Sequence, residues 1–89
     1  MKLRFHPLVI SRDIPSLDTP IKRHVQHSID EKLLTNPLLF GTPLRFRLTG
    51  MWKLRVGDWR VVYTIEKEVV SIILIAHRKE VYKLINKRM

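Results

Sequence analysis

Cysteine is absent from this 89-residue chain, and glycine, proline and aromatic residues are few. Without cysteine the chain can form neither a disulfide nor a thiol nucleophile, which suits a reducing compartment. No apolar stretch approaches the ~20 residues needed to cross a bilayer. The first residues, Met1 to Pro7, lack the apolar core of a secretory signal. We therefore expect a cytoplasmic protein that does not enter a membrane.

Several common catalytic patterns are also absent. The sequence has no Ser-His-Asp arrangement, no glycine-rich phosphate loop and no pair of catalytic carboxylates. His24 and His27 lie three residues apart on a predicted helix, but zinc needs three or four ligands and nothing obvious completes the set. We expect no metal and no cofactor, and we interpret these two histidines as solvent-exposed.

Acidic residues are heavily outnumbered, with 17 Lys and Arg against 8 Asp and Glu and a net charge of +9. The basic excess lies in the second half of the chain, within residues 44–63 and 76–89. A solvated basic face would explain this charge, and so would a surface that binds phosphate groups. The charge therefore favours a polyanionic partner without identifying it.

The first half of the chain predicts a strand followed by helices. Lys2–His6 alternate as a short strand does, whereas Val9–Leu17 is ambiguous. Thr19 is predicted to cap a helix that has Pro20 in its first turn. Apolar residues then recur every four positions, which indicates one buried helix face: Ile21, Val25, Ile29 and Leu33. The helix should end near Asn36, and residues 37–43 are predicted to form a loop.

From Leu44 onward the pattern changes to strands. Alternation predicts strands at residues 44–48, 52–56 and 59–65, and the apolar run at 69–76 predicts an interior strand. Residues 80–87 are expected to form a short closing helix. The predicted fold is a single α+β domain spanning residues 1–89. A small antiparallel, partly mixed, twisted sheet is packed on one face by helices, two of them N-terminal.

Gly57-Asp58 has the form of a two-residue type II′ hairpin turn. That turn places Arg55 opposite Arg60 and leaves Lys53 on the same face, while the other face is apolar and belongs to the core. Like charges opposite each other destabilise a sheet, so an anion held between them would explain the arrangement. Long arginine side chains that splay into water would explain it as well.

Two segments, MWKLRVGDWRVVY ending at Tyr63 and IAHRKEVY ending at Tyr82, resemble the signature of the RelE family in the RelE/ParE toxin superfamily. The similarity extends over residues 44–83, and only the order of elements agrees before that. The resemblance implies a RelE-like fold and an endoribonuclease that cuts messenger RNA in the A site of the small ribosomal subunit, inhibiting translation. It also implies a cognate antitoxin, RelB-like or other, encoded nearby.

Position by position, the resemblance implies a set of catalytic residues: Lys53, Arg55, Arg60, Arg78 and Tyr82. His77 is a further candidate for acid–base chemistry, and the basic residues expected to contact RNA are Arg45, Arg47, Lys79 and Lys83. If residues 78–82 are helical, Arg78 and Tyr82 share a face. Relatives with a second lysine carry it where this chain has Met51.

The implied chemistry is metal-independent attack of a ribose 2′-hydroxyl on the adjacent phosphate. Arginines would stabilise charge on the phosphate oxygens. Lys53 and Tyr82 are candidates for proton transfer, and Tyr82 is also a candidate for stacking on a base. Two alternatives share the fold and the charge: a ParE-like poison of DNA gyrase, and an inactive domain that binds only an antitoxin.

Overall fold

The computed structural model describes residues 1–88 and shows a five-stranded sheet with helices against both faces. The strands are β1 (Lys2–Phe5), β2 (Thr42–Pro43), β3 (Met51–Val56), β4 (Trp59–Glu66) and β5 (Val69–His77). The helices are α1 (Ile14–Ser16), α2 (Thr19–Ser28), α3 (Pro37–Phe40) and α4 (Val81–Arg88), with π-helical turns at Val9–Asp13 and Ile29–Leu33 and a 3₁₀ turn at Phe46–Leu48. The predicted α+β class is confirmed.

The strands lie in the order β1-β5-β4-β3-β2. β1 runs parallel to β5, and the other neighbouring pairs are antiparallel, so the sheet is mixed as predicted. β5 lies between β1 and β4, in agreement with its nearly continuous apolar sequence. A bulge between β4 and β5 leaves Ile73 without a paired residue, since Val62 pairs with Leu74 and Tyr63 with Ile72.

Each face of the sheet has its own apolar core. α2 and the following π-helical turn pack on the first face, where the helical stripe inserts: Val25, Ile29 and Leu33. α4 packs on the second face through Val81 and Ile85. The expectation that all helices share one face is therefore wrong. The second face carries Val62 and Leu74, both fully buried, and the amphipathic α4 removes them from water.

The start of α2 differs from the prediction by one residue. Asp18, not Thr19, caps the helix, because Asp18 Oδ1 accepts a hydrogen bond from the Ile21 amide at 3.1 Å. Thr19 is the first helical residue, and Pro20 remains in the first turn as predicted. Carboxylate and hydroxyl caps are both common, so sequence preference alone does not separate Asp18 from Thr19.

Residues 37–48 were predicted as loop and strand, and both predictions are wrong in part. Residues 37–40 form α3, because Asn36 Oδ1 accepts a hydrogen bond from the Leu39 amide at 3.2 Å and caps the helix. Residues 46–48 form a 3₁₀ turn. Leu44 and Leu48 reach the core under α4, whereas Phe46 between them points to solvent. The alternation of these residues thus reflects a turn and not a strand.

A buried ion pair joins the π-helical turn after β1 to the last residue of α4. The two terminal guanidinium nitrogens of Arg88, Nη1 and Nη2, donate to the Asp13 carboxylate at 2.6 and 3.1 Å, and both side chains are less than a tenth exposed. Asp13 also accepts the Ile75 amide at 2.9 Å, and Arg88 donates to the Ile73 carbonyl at 3.1 Å. The pair therefore provides hydrogen-bond partners for backbone groups of β5 that lie beyond the end of β1. It also attaches the last turn of α4 to this edge of the sheet.

Tyr63 is the largest fully buried side chain, and its hydroxyl donates to the Pro37 carbonyl at 2.7 Å. Burial raises the pKa of Tyr63 to about 12. This contact joins β4 to the start of α3.

None of the helices within residues 1–88 has both the length and the apolar composition that a bilayer crossing requires.

Candidate functional site

The β3–β4 hairpin has the predicted register throughout. Arg55 pairs with Arg60, and Lys53 pairs with Val62. Gly57, at the first position of the turn, has φ 59°, a conformation that glycine adopts without steric cost. The predicted core-facing side of the ribbon packs under α2, and the predicted basic side faces α4. Lys53, Arg55 and Arg60 therefore share one face of the sheet.

Lys53 and Tyr82 are in direct contact through their side chains. Lys53 Nζ donates a hydrogen bond to Tyr82 Oη at 2.9 Å, joining β3 to the first turn of α4. Nζ lies 5.5 Å from the centre of the tyrosine ring. That distance places the ammonium beyond the hydroxyl and not over the ring face. Two groups that were predicted to transfer protons thus lie in direct contact.

This pair lies in a groove of about 550 Å³ between the 42–48 segment and α4. Arg45 and Arg47 line the groove, so the structure brings two of the four predicted RNA-contacting residues to the Lys53–Tyr82 pair. Lys79 and Lys83 are exposed but are not part of the groove lining. The groove therefore combines three cations with a tyrosine that is about half exposed.

The remaining predicted arginines cluster at the hairpin turn and do not line the groove. Arg60 donates to the Gly57 and Trp59 carbonyls at 2.9 and 2.8 Å. Arg78 donates its backbone amide to the Asp58 carbonyl at 2.8 Å, and its Nε lies 3.8 Å from the Asp58 carboxylate. The β3–β4 turn therefore contacts both Arg60 and Arg78, and Arg55 lies opposite Arg60 on the ribbon.

α4 begins at Val81, so Arg78 precedes the helix and the expected helical face shared with Tyr82 does not form. His77 pairs with Trp59, and the two rings meet edge to face at 5.5 Å. Trp59 packs with the α2 core. The structure thus places His77 on the opposite face of the sheet from the Lys53–Tyr82 pair, and it does not bring this acid–base candidate to the groove.

Asn86 and Phe46 are among the groove residues that the sequence analysis did not select as site residues. Asn86 lies one helical turn after Tyr82, and this i, i+4 spacing on the short helix could have identified it. Phe46 also lines the groove, but the sequence analysis took it only as one apolar position of a strand predicted at residues 44–48. Within the described residues 1–88, no group of three His, Asp or Glu side chains is arranged to hold a metal ion.

Known proteins resemble this chain over most of its length. A family model described as the ParE toxin of type II toxin-antitoxin system, parDE, matches residues 8–82. The chain is 38% identical over 76 residues to Toxin RelE of Mycobacterium tuberculosis, which covers 83% of this chain and 78% of that protein. The chain belongs to the RelE family of the RelE/ParE toxin superfamily.

Other toxins of this kind are also similar to the chain in sequence or in fold. Toxin RelG of M. tuberculosis is 31% identical over 74 residues, covering 81% of this chain and 85% of that protein. The RelBE2 toxin-antitoxin complex from M. tuberculosis contains a chain with TM-score 0.79 and 33% identity, covering 86% of this chain and 90% of that one. The isolated Escherichia coli RelE toxin shares the fold, with TM-score 0.72, 24% identity and coverage of 98% and 96%.

Proposed function

We propose that this RelE-family toxin is a metal-independent endoribonuclease that cleaves translated messenger RNA in the A site of the small ribosomal subunit. It would act in the cytoplasm and inhibit translation. The observation that supports this most is the hydrogen bond between Lys53 Nζ and Tyr82 Oη, at the wall of a groove that Arg45 and Arg47 also line. An ammonium and a phenol in contact beside a basic groove can serve both proton transfer and phosphate binding.

Phosphate charge is the main electrostatic problem of this reaction. When a 2′-oxygen attacks the adjacent phosphorus, negative charge builds on the phosphate oxygens, and fixed cations stabilise it. Arg55 and Arg60 lie opposite each other on the ribbon, and the hairpin turn positions Arg60 and Arg78. Arginine suits this role because it remains charged and binds phosphate with two donors.

The Lys53–Tyr82 contact supports a proton path that balances. In the proposed step, Tyr82 Oη reacts as the phenolate and accepts the 2′-hydroxyl proton as the 2′-oxygen bonds to phosphorus. The bond from phosphorus to the 5′-oxygen breaks, and Lys53 gives a proton to the leaving oxygen. Transfer of the phenol proton from Tyr82 to Lys53 across the 2.9 Å contact restores both groups. The products are a 2′,3′-cyclic phosphate and a free 5′-hydroxyl.

We also propose a cognate antitoxin, encoded beside this chain, that binds and silences it. The M. tuberculosis RelBE2 and Methanococcus jannaschii RelB-RelE structures are toxin-antitoxin complexes. A net charge of +9 favours an acidic or amphipathic peptide as the partner. Binding over the groove would screen the same cations that RNA needs.

The test is cleavage of a reporter message in a purified translation system, mapped by primer extension. The wild-type chain should cut within translated codons and leave the same RNA nearly intact without ribosomes. Lys53→Ala should lose about 100-fold or more of the cleavage rate. Lys87→Ala removes an exposed lysine outside the groove and should cut normally. Equal cutting by Lys53→Ala and Lys87→Ala would contradict the proposal.

A second candidate function is poisoning of DNA gyrase, which the ParE description of the matching family model favours. A gyrase poison acts by binding, so the contact between Lys53 and Tyr82 would have no chemical role. Purified gyrase and supercoiled DNA separate the two functions. Gyrase-dependent DNA breaks, equally strong with wild type and Lys53→Ala and without any RNA cleavage, would establish the alternative.

A further inference from the structure

Phe46 is the most exposed large apolar side chain among residues 1–88, with 90% of its surface accessible. It is also one of two non-glycine residues there with a positive φ, at 60°. A bulky side chain rarely adopts this left-handed conformation because its Cβ crowds the following carbonyl oxygen. Phe46 is therefore unfavourable in two ways: its backbone conformation is sterically strained, and its apolar ring is exposed to water.

The turn that contains Phe46 is ordered by hydrogen bonds and not by the phenyl ring. The Leu48 amide donates to the Arg45 carbonyl at 3.2 Å, and the Thr49 amide donates to the Phe46 carbonyl at 3.0 Å. The Thr49 hydroxyl also donates to the Phe46 carbonyl. Leu44 and Leu48 supply the contacts with the core under α4. Folding thus accounts for the turn but not for an aromatic side chain at position 46.

The surroundings of Phe46 indicate what such a ring would contact. It lies between Arg45 and Arg47 in sequence and lines the same groove as Lys53 and Tyr82. Aromatic rings among cations are the pattern by which proteins hold single-stranded nucleic acid, because rings stack on bases and cations bind phosphates. Every base has a flat face, so a single exposed ring can serve many sequences.

We propose that Phe46 is a platform on which an unpaired nucleobase of single-stranded RNA stacks, with phosphates against Arg45, Arg47 and Lys53. This inference rests on the proposed function for the class of nucleic acid. Binding of free RNA by the groove can nevertheless be measured without any cleavage.

The experiment measures anisotropy of a short, fluorescein-labelled, single-stranded oligoribonucleotide of mixed sequence at low salt. Phe46→Ala should weaken binding by about 5- to 150-fold, the range for loss of one base–aromatic stack. Phe46→Trp should bind like wild type. Phe40→Ala is the matched control, because Phe40 is a partly exposed phenylalanine outside the groove, and it should leave affinity unchanged.

A second oligomer of the same length, made of abasic ribonucleotides, separates stacking from phosphate binding. Wild type and Phe46→Ala should bind it equally. Equal loss of affinity for both oligomers on Phe46→Ala would overturn the proposal, and so would no loss for either. Failure of the wild type to bind the base-containing oligomer would also overturn it.

Phe46→Leu distinguishes a stacked base from an apolar partner side chain. Leucine retains apolar surface without a flat ring, so its affinity for RNA should fall nearly as far as that of Phe46→Ala. Wild-type affinity in Phe46→Leu would overturn the stacking proposal. Ribosome-dependent cleavage is scored separately, so a chain that cuts nothing yet binds RNA through Phe46 would contradict only the proposed function.

Phe46→Gly provides a readout that a structural role would not give. Glycine adopts φ 60° freely, so this variant should keep or raise the thermal midpoint of unfolding while losing RNA affinity as Phe46→Ala does. A fall in both midpoint and affinity would assign Phe46 to folding and overturn the proposal.

Discussion

Arg55 and Arg60 lie directly opposite each other on the antiparallel β3–β4 ribbon, so two permanent positive charges share one cross-strand position. Arg60 is held by the turn carbonyls, whereas no hydrogen bond or ion pair holds the exposed Arg55 side chain within residues 1–88. Facing like charges cost roughly 0.2–1 kcal/mol. The arrangement is understandable if an anion binds between them.

Replacement of Arg55 should therefore separate stability from function. We expect Arg55→Gln to raise the free energy of unfolding by up to about 1 kcal/mol at low salt, and the gain should shrink as salt screens the repulsion. The same variant should cleave translated message more slowly. Urea unfolding at two salt concentrations and primer extension measure the two effects. Lower stability together with normal cleavage would contradict the anion-site interpretation.

The ion pair between Asp13 and Arg88 should be critical for the attachment of α4. Arg88→Met leaves the Asp13 carboxylate buried without its cation, and we expect a loss of about 3–5 kcal/mol in unfolding free energy. The double variant Asp13→Asn/Arg88→Met should lose less than Arg88→Met alone, because no uncompensated charge remains. Lys87→Met tests an exposed neighbour and should have little effect. Additive losses in the double variant would show that charge burial is not the cause.

Gly41 is required for a steric reason and not for its backbone freedom. A Cβ at this position would overlap the Tyr63 hydroxyl and lie 3.2 Å from the Pro37 carbonyl. Gly41→Ala should therefore lower the unfolding free energy by about 1–3 kcal/mol, as overpacking does. Chemical denaturation of Gly41→Ala beside Thr42→Ala, an exposed neighbour, is the measurement. Equal stability of the two variants would show that Tyr63 can move aside.

The buried Tyr63 should make the free energy of unfolding fall at alkaline pH. Burial raises its pKa to about 12 in the folded chain, above the ordinary value near 10. A raised folded pKa means that its stabilising contribution is complete below pH 10 and is lost as the pH rises from 10 to 12. Two pKa units correspond to about 3 kcal/mol.

Comparison of wild type with Tyr63→Phe tests this, because all other titrating groups are common to both. The stability advantage of wild type over Tyr63→Phe should be constant below pH 10 and should shrink between pH 10 and 12. If the stability difference between wild type and Tyr63→Phe stays constant from pH 10 to 12, ionisation of Tyr63 does not destabilise the folded chain.

Prediction from the sequence was most successful where local chemistry decides the structure. The Gly57-Asp58 turn sets the register of β3 and β4, so the sequence alone predicts that Arg55 lies opposite Arg60, and the structure confirms it. Prediction from the sequence failed where contacts between distant segments decide the local structure. Residues 44–48 alternate as a strand would, but contacts of Leu44 with the α4 core convert them to a turn that exposes Phe46.

The same limit applies to the candidate site. The family resemblance selected Lys53 and Tyr82, and the structure brings them into contact although they are 29 residues apart. The Asp13–Arg88 pair was not predicted, since its members are 75 residues apart and no local pattern links them. The place of α4 on the second face depends on that pair and on the buried side chains beneath it, which only the folded sheet defines.

The most direct test of the account is the rate at which Tyr82→Phe cleaves translated message in a purified translation system. This change removes the oxygen that Lys53 contacts and keeps the aromatic ring. Because Tyr82 is 48% exposed, the variant should fold normally, and its circular dichroism spectrum should match that of wild type. The account predicts a rate about 10²- to 10⁴-fold below wild type. A folded Tyr82→Phe chain that cleaves at the wild-type rate would contradict it.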